Sequence, residues 1–129
     1  MAISVEMIPN ESVINIKVDS RLNYQMVCNA RQVIAQIIAR NASPMHCITE
    51  LSLSNVSLTE TMETIKLLTR NLSGNGGFPN LNHYFVGHDQ LASFASNLIC
   101  RLTASECQVY DSVDEVMSEI HAQGVPARV

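Results

Sequence analysis

Between Leu51 and Leu68 the sequence LSLSNVSLTETMETIKLL changes its hydrophobic period within a few residues, and that change limits what the chain can fold into. Leu51 and Leu53 keep the two-residue alternation of a strand, with Ser52 and Ser54 opposite and Val56 following as a further apolar residue. Leu58, Met62, Ile65, Leu68 and Leu72 then recur at helical spacing. The switch falls near Ser57, and Ser57 with Glu60 matches a capping box. In that motif the hydroxyl accepts from a backbone N–H of the first turn while the carboxylate reaches back to the cap's own N–H. A strand feeding directly into a helix is the repeating unit of an α/β fold.

The rest of the chain arranges itself around this unit. Ile3, Val5 and Met7 alternate with Ser4 and Glu6, Pro9 to Glu11 interrupt, and Ile14, Ile16 and Val18 resume the alternation. This predicts an antiparallel hairpin whose first strand sits at a sheet edge. Met26, Val27, Ala30, Val33, Ile34, Ile37 and Ile38 form the stripe of an amphipathic helix, which must stop before Pro44. Cys47 to Leu53 supplies a strand, and the organising helix follows it. That helix ends near Leu72, at Ser73-Gly74-Asn75-Gly76-Gly77. The glycines there close a helix, no Lys-Ser/Thr follows them, and a phosphate-loop reading therefore fails.

His83 to Gly87 reads as a buried strand. Asp89 then caps a helix with Leu91, Phe94, Ala95, Leu98, Ile99 and Leu102 on one face. Cys107 to Tyr110 is the last strand, and Ser112 with Glu115 opens a final helix closed by His121 and Gly124. The expectation is an α/β fold: a mixed five-stranded sheet with an N-terminal β-hairpin and about four helices. It forms a single domain over residues 1–124, with a loose tail at 125–129.

At 129 residues, 47% hydrophobic and 16% charged, the chain suits one core. It carries no run of roughly 20 apolar residues that would span a membrane and no basic-then-apolar leader, so a cytoplasmic location is expected. A net charge of −4 without a cluster of Lys or Arg disfavours nucleic acid as a partner. Cys28, Cys47, Cys100 and Cys107 include no CxxC pair, and reduced, buried thiols are expected. No cofactor and no metal are implied: His83 and His88 with a cysteine lack diagnostic ligand spacing.

Enzymatic chemistry has only weak carriers. His46 beside Cys47 would point to opposite faces of one strand, and His88 beside Asp89 reads as a turn and a helix cap. The chain is expected not to be an enzyme. An enzyme would instead bring one histidine within reach of a thiol or carboxylate in the fold. An apolar ligand leaves no motif, and Met7, Met26, Met62 and Met117 could line a cavity for one, although methionines at such spacing are more often core.

The order of elements resembles the STAS superfamily of anti-sigma factor antagonists and its SpoIIAA-like, SEC14-related bacterial relatives. The resemblance spans nearly the whole chain. It is carried by the hairpin running into Ser20-Arg21-Leu22, where such domains often have Gly-Arg-Leu, by the organising strand and helix, and by the ending VYDSVDEVMSEI. Antagonists of that family carry an Asp-Ser-Ser-Gly segment at the start of the second helix, with a phosphorylated serine. Aligning Leu67 and Leu68 with the family's paired leucines places Glu60, Thr61, Met62 and Glu63 over that motif, with Met62 on the phosphoacceptor.

Methionine cannot accept phosphate, which leaves Thr61 or Thr59 as a substitute acceptor in the first helical turn, opposed by Glu60 and Glu63. The resemblance thus implies a non-enzymatic regulatory module that binds a protein partner and allows a homodimer. Its surface would be Ser57, Thr59, Glu60, Thr61, Met62 and Glu63, with Asp89 alongside. The SEC14-like side of the resemblance implies the alternative, a lipid or other small apolar ligand.

Overall fold

In the computed structural model, which describes residues 2–9, 11–41, 45–71, 81–102 and 109–127, the alternating segments pair into one sheet in the order of the sequence. Its strands are β1 (Ile3–Met7), β2 (Val13–Val18), β3 (Met45–Leu51), β4 (Leu81–Gly87) and β5 (Val109–Tyr110). The helices are α1 (Tyr24–Ala39), α2 (Leu58–Asn71), α3 (Gln90–Leu102) and α4 (Val113–Ala127). β1 pairs antiparallel with β2, as a short hairpin requires, and β2 to β5 run parallel. The fold is therefore the mixed five-stranded α/β architecture expected from the periodicities.

Each parallel strand lies beside the next one in sequence, so right-handed crossovers put α1, α2 and α3 on the same face. Ile14, Ile16, Val18, Cys47, Leu51 and Phe85 form the core beneath these three helices. Among the described residues the other face is covered by α4, whose Val116 and Ile120 pack on Val13, Ile48, Tyr84 and Val86. Towards β1 this second face carries Ser4, Glu6, Asn15 and Lys17 where a helix-covered face would need apolar side chains.

The helices begin and end close to expectation, but two present a different face to the core. Asn23 caps α1, its side chain accepting from the Met26 N–H at 2.9 Å, and α1 stops at Ala39. In α2 the buried positions are Thr61, Thr64, Ile65 and Leu68, while Leu58 is 64% and Met62 37% exposed. The apolar stripe read from the sequence is thus rotated by part of a turn. Threonines go inward because a helical hydroxyl can satisfy itself on the carbonyl four residues back, as Thr61 does on Ser57 at 2.8 Å.

α3 shows the same shift, burying Ala92, Ala95, Ser96 and Ile99 and leaving Phe94 and Leu102 outside. The cause is close approach to the sheet. A Cβ at Gly87 would lie 2.8 Å from the Ser93 Cα and backbone N, so β4 must end in glycine and α3 must meet it with small residues.

Two further expectations are corrected. α4 continues through Gly124 to Ala127, because the roughly 1 kcal/mol that a glycine costs relative to alanine does not by itself end a helix. Cys28 and Cys47 are free thiols, but Cys100 is held in a disulfide, so the thiols are not all reduced. The Gly74–Gly77 segment and Cys107 lie outside the described residues. Among the described residues no helix is long and apolar enough to cross a membrane.

Candidate interaction site at the helix-start rim

Because β2, β3 and β4 are parallel, their carboxyl ends at Val18, Leu51 and Gly87 reach one edge of the sheet, and α1, α2 and α3 all start there. In open α/β sheets this edge is where partners and ligands are met, since the loops and the unsatisfied N–H groups of the helix starts gather on it.

At the start of α2 the capping box forms as the sequence predicts. The Ser57 hydroxyl accepts from the Glu60 N–H, and a Glu60 carboxylate oxygen accepts from the Ser57 N–H, both at 3.1 Å. The Ser57 backbone hydrogen bond, with its hydroxyl and Arg21 in support, holds the Glu60 carboxyl below its ordinary value. Arg21, from the turn before α1, spans both acidic residues of this first turn at 3.6 Å: one guanidinium nitrogen faces Glu60 and the other Glu63. Leu58, Thr59 and Met62 stand exposed around this ion cluster.

Thr61 is fully buried, and its hydroxyl donates to the Ser57 carbonyl. Phosphorylation there would first have to open the first turn of α2. Of the two threonines proposed as acceptors, Thr59 is the one at the surface.

Asp89 does cap α3, but it does more than close a local turn. One carboxylate oxygen accepts from the Ala92 N–H and the other from the Leu53 N–H, each at 2.8 Å. The His88 N–H adds a bond to the Leu51 carbonyl at 3.0 Å. The two-residue turn His88-Asp89 thus ties the β3–α2 loop to the start of α3. Asp89 is half-buried and committed to these bonds, so it shapes the rim from below.

One cluster was missed from the sequence. Glu50, near the end of β3, accepts from the Asn15 amide at 2.9 Å and lies 2.8 Å from His88 Nε2. Asn15 is 6% exposed, and its amide oxygen is buried with no hydrogen-bond partner among the described residues. The only sequence signal was a polar residue on the face of each strand opposite its main apolar row, in VINIKV and CITEL. Nothing local says that β2 and β3 set the two side by side.

The chain therefore does bring a histidine to a carboxylate, and His121 with Glu11 does so again at 2.8 Å. His46 and Cys47 do point to opposite faces. His46 lies 3.4 Å from the Tyr84 hydroxyl, and burial lowers its pKa. Cys47 is in the three-helix core, where burial pushes its thiol up to about 12 and removes it as a nucleophile at neutral pH. No group of three or more His, Cys, Asp or Glu among the described residues could hold a metal ion.

A solved structure shares this architecture. It is an uncharacterized protein of the DUF3478 family with a SpoIIAA-like fold from Shewanella loihica PV-4, 15% identical, with a TM-score of 0.55, over 91% of this chain and 90% of that one. No family model matches the sequence, and no curated protein matches it. The fold is SpoIIAA-like, in agreement with the resemblance read from the sequence.

Proposed function

We propose that this chain is a non-enzymatic regulatory module that binds a protein partner through the start of α2. The observation that carries this reading is the composition of that rim. Exposed Leu58 and Met62 surround the Arg21–Glu60–Glu63 ion cluster, on the segment where STAS antagonists carry their switch. Apolar side chains bordered by charges that already have partners make a surface that can be desolvated at modest penalty. Met62 at the phosphoacceptor position means that the partner is bound without the family's serine phosphorylation. Ser57, Thr59 and Glu63 form the polar border, and Thr61 and Asp89 hold its shape.

The test is capture of the partner by the chain isolated gently from its own cells, compared with the Met62→Lys and Glu63→Lys variants. Both should bind at least tenfold more weakly with nearly unchanged thermal unfolding. Undiminished binding by both would remove the α2 start as the surface.

Against catalysis stands the setting of the two histidine–carboxylate pairs. Among the described residues, neither has a thiol or hydroxyl among its hydrogen-bond partners to serve as nucleophile. The competing reading is carriage of a lipid or other small apolar molecule, in the SEC14-like manner. It has one observation in its favour, a groove of about 390 Å3 between β1 and α1. Native mass spectrometry showing an apolar adduct, with no protein partner, would replace the interaction reading with that one.

A further inference from the structure

At one edge of the sheet lies β1, paired on one side only, with β2. β1 offers five residues, ISVEM, with no proline or lysine among them. Its hydrogen-bond phase follows from the two ends of the hairpin. The Asp19 N–H donates to the Ala2 carbonyl at 3.1 Å, and the Ile8 N–H donates to the Val13 carbonyl at 3.0 Å. Antiparallel pairs alternate between bonded and non-bonded, so Ala2, Ser4, Glu6 and Ile8 turn their backbone groups to β2. Ile3, Val5 and Met7 turn theirs outward, and no described residue meets them.

The side chains of the same three residues face α1. There Ile3 and Val5, with Met26, Ala30 and Val33, line the groove of about 390 Å3, and Val33 is 40% exposed on its wall. An outward-facing ladder beside an apolar groove is the arrangement that accepts an added strand: the backbone supplies the hydrogen bonds and the groove takes alternate side chains.

We infer that this edge pairs with β1 of a second copy, antiparallel about a two-fold axis through Val5, to make one continuous ten-stranded sheet. In that register Val5 opposes Val5 of the partner subunit, and Ile3 opposes Met7 of the partner subunit. All three outward-facing residues enter the ladder, and the apolar row of each β1 continues into the other. Glu6 falls opposite Ser4 of the partner subunit. A slide of one step towards the C-terminus would set Glu6 against Glu6, a like-charge pair directly across the strands, and the opposite slide takes Met7 out of the ladder. The charge pattern and the length of the ladder together select one register of the two-fold, and the shared axis makes the contact self-complementary. The contact is small and the dimer weak, assembling at about 0.1–1 mM chain.

Sedimentation velocity over a concentration series tests the assignment on the full chain and on Val5→Pro. Proline at 5 removes an outward N–H and leaves the bonds of Ser4 and Glu6 to β2 in place. The unmodified chain should dimerise with rising concentration. Val5→Pro should weaken the dimer at least tenfold with an unchanged far-UV spectrum. If proline disturbs the hairpin, Val33→Lys on the groove wall provides the second variant, with the same weakening expected. A chain monomeric to about 1 mM, a dimer that survives both substitutions, or a monomer carrying an apolar adduct in the groove would each overturn the inference. Met62→Lys should leave the dimer intact, so this assignment and the partner surface on α2 fail separately.

Discussion

The starts of α2 and α3 look alike in sequence, each a short polar residue ahead of a helical stripe, yet the structure makes them different kinds of joint. At Ser57 the cap is self-contained: donor and acceptor lie three residues apart, and the same four-residue stretch satisfies both. At Asp89 the carboxylate divides its oxygens between its own helix and the Leu53 N–H, 36 residues away. A local cap decides where a helix begins, whereas a cap that reaches across the fold also decides where its neighbour begins. The exposed surface therefore belongs to the first joint and the bracing to the second.

Asp89→Ala should separate the two joints most sharply. It removes the cap of α3 and leaves the buried Leu53 N–H without its partner, for a loss of about 2–3 kcal/mol in urea unfolding. Ser57→Ala deletes only the local cap and should lose about 1 kcal/mol. Equal losses at the two positions would mean that the Leu53 bond adds nothing, and the contrast between the joints would disappear.

The Glu60 carboxyl adds a pH signature to the α2 joint. Its folded value is depressed, chiefly by the Ser57 backbone bond, so the unfolded chain binds the proton more tightly. The contribution is then present above the ordinary value of 4.5 and is lost as pH falls through the lower folded value. Thermal unfolding followed from pH 5 downward should show this small loss in the unmodified chain and not in Glu60→Gln, which keeps the box with a neutral amide. An unchanged acid slope in Glu60→Gln would assign the effect elsewhere.

The smallest expected effect is on Met62, one turn further on. Exposed as it is, Met62→Lys should change unfolding stability by no more than about 0.5 kcal/mol. A larger loss would place Met62 in the core and remove it from the proposed surface.

Much of the fold was legible because hydrophobic period is a local property. The hairpin, the strand–helix switch at Ser57, the stop of α1 before Pro44 and the capping box at Ser57 all follow from residues within a few positions of one another. The inward faces of α2 and α3 were less legible. The sequence marks Met62 and Phe94 as apolar, but Thr61, Thr64, Ala92 and Ser96 take the inner positions. The reason is distance: α3 must approach Gly87 closely, which favours small side chains over large ones. The candidate site was legible to the same degree. Ser57, Glu60 and Glu63 stand where their spacing put them, while the Arg21 that spans the acids comes from the turn before α1, well earlier in the chain.

What the sequence determined by itself is the succession of elements, their caps and the antiparallel entry into the sheet, because these depend on period, turn chemistry and short-range hydrogen bonds. Tertiary structure alone decided which residues meet: Asn15 with Glu50 and His88, Asp89 with Leu53, and the free edge of β1 with its groove beside α1. Those contacts join segments tens of residues apart. Their geometry is set by strand register and by the separation of helix from sheet, and neither is written in any single stretch of the chain.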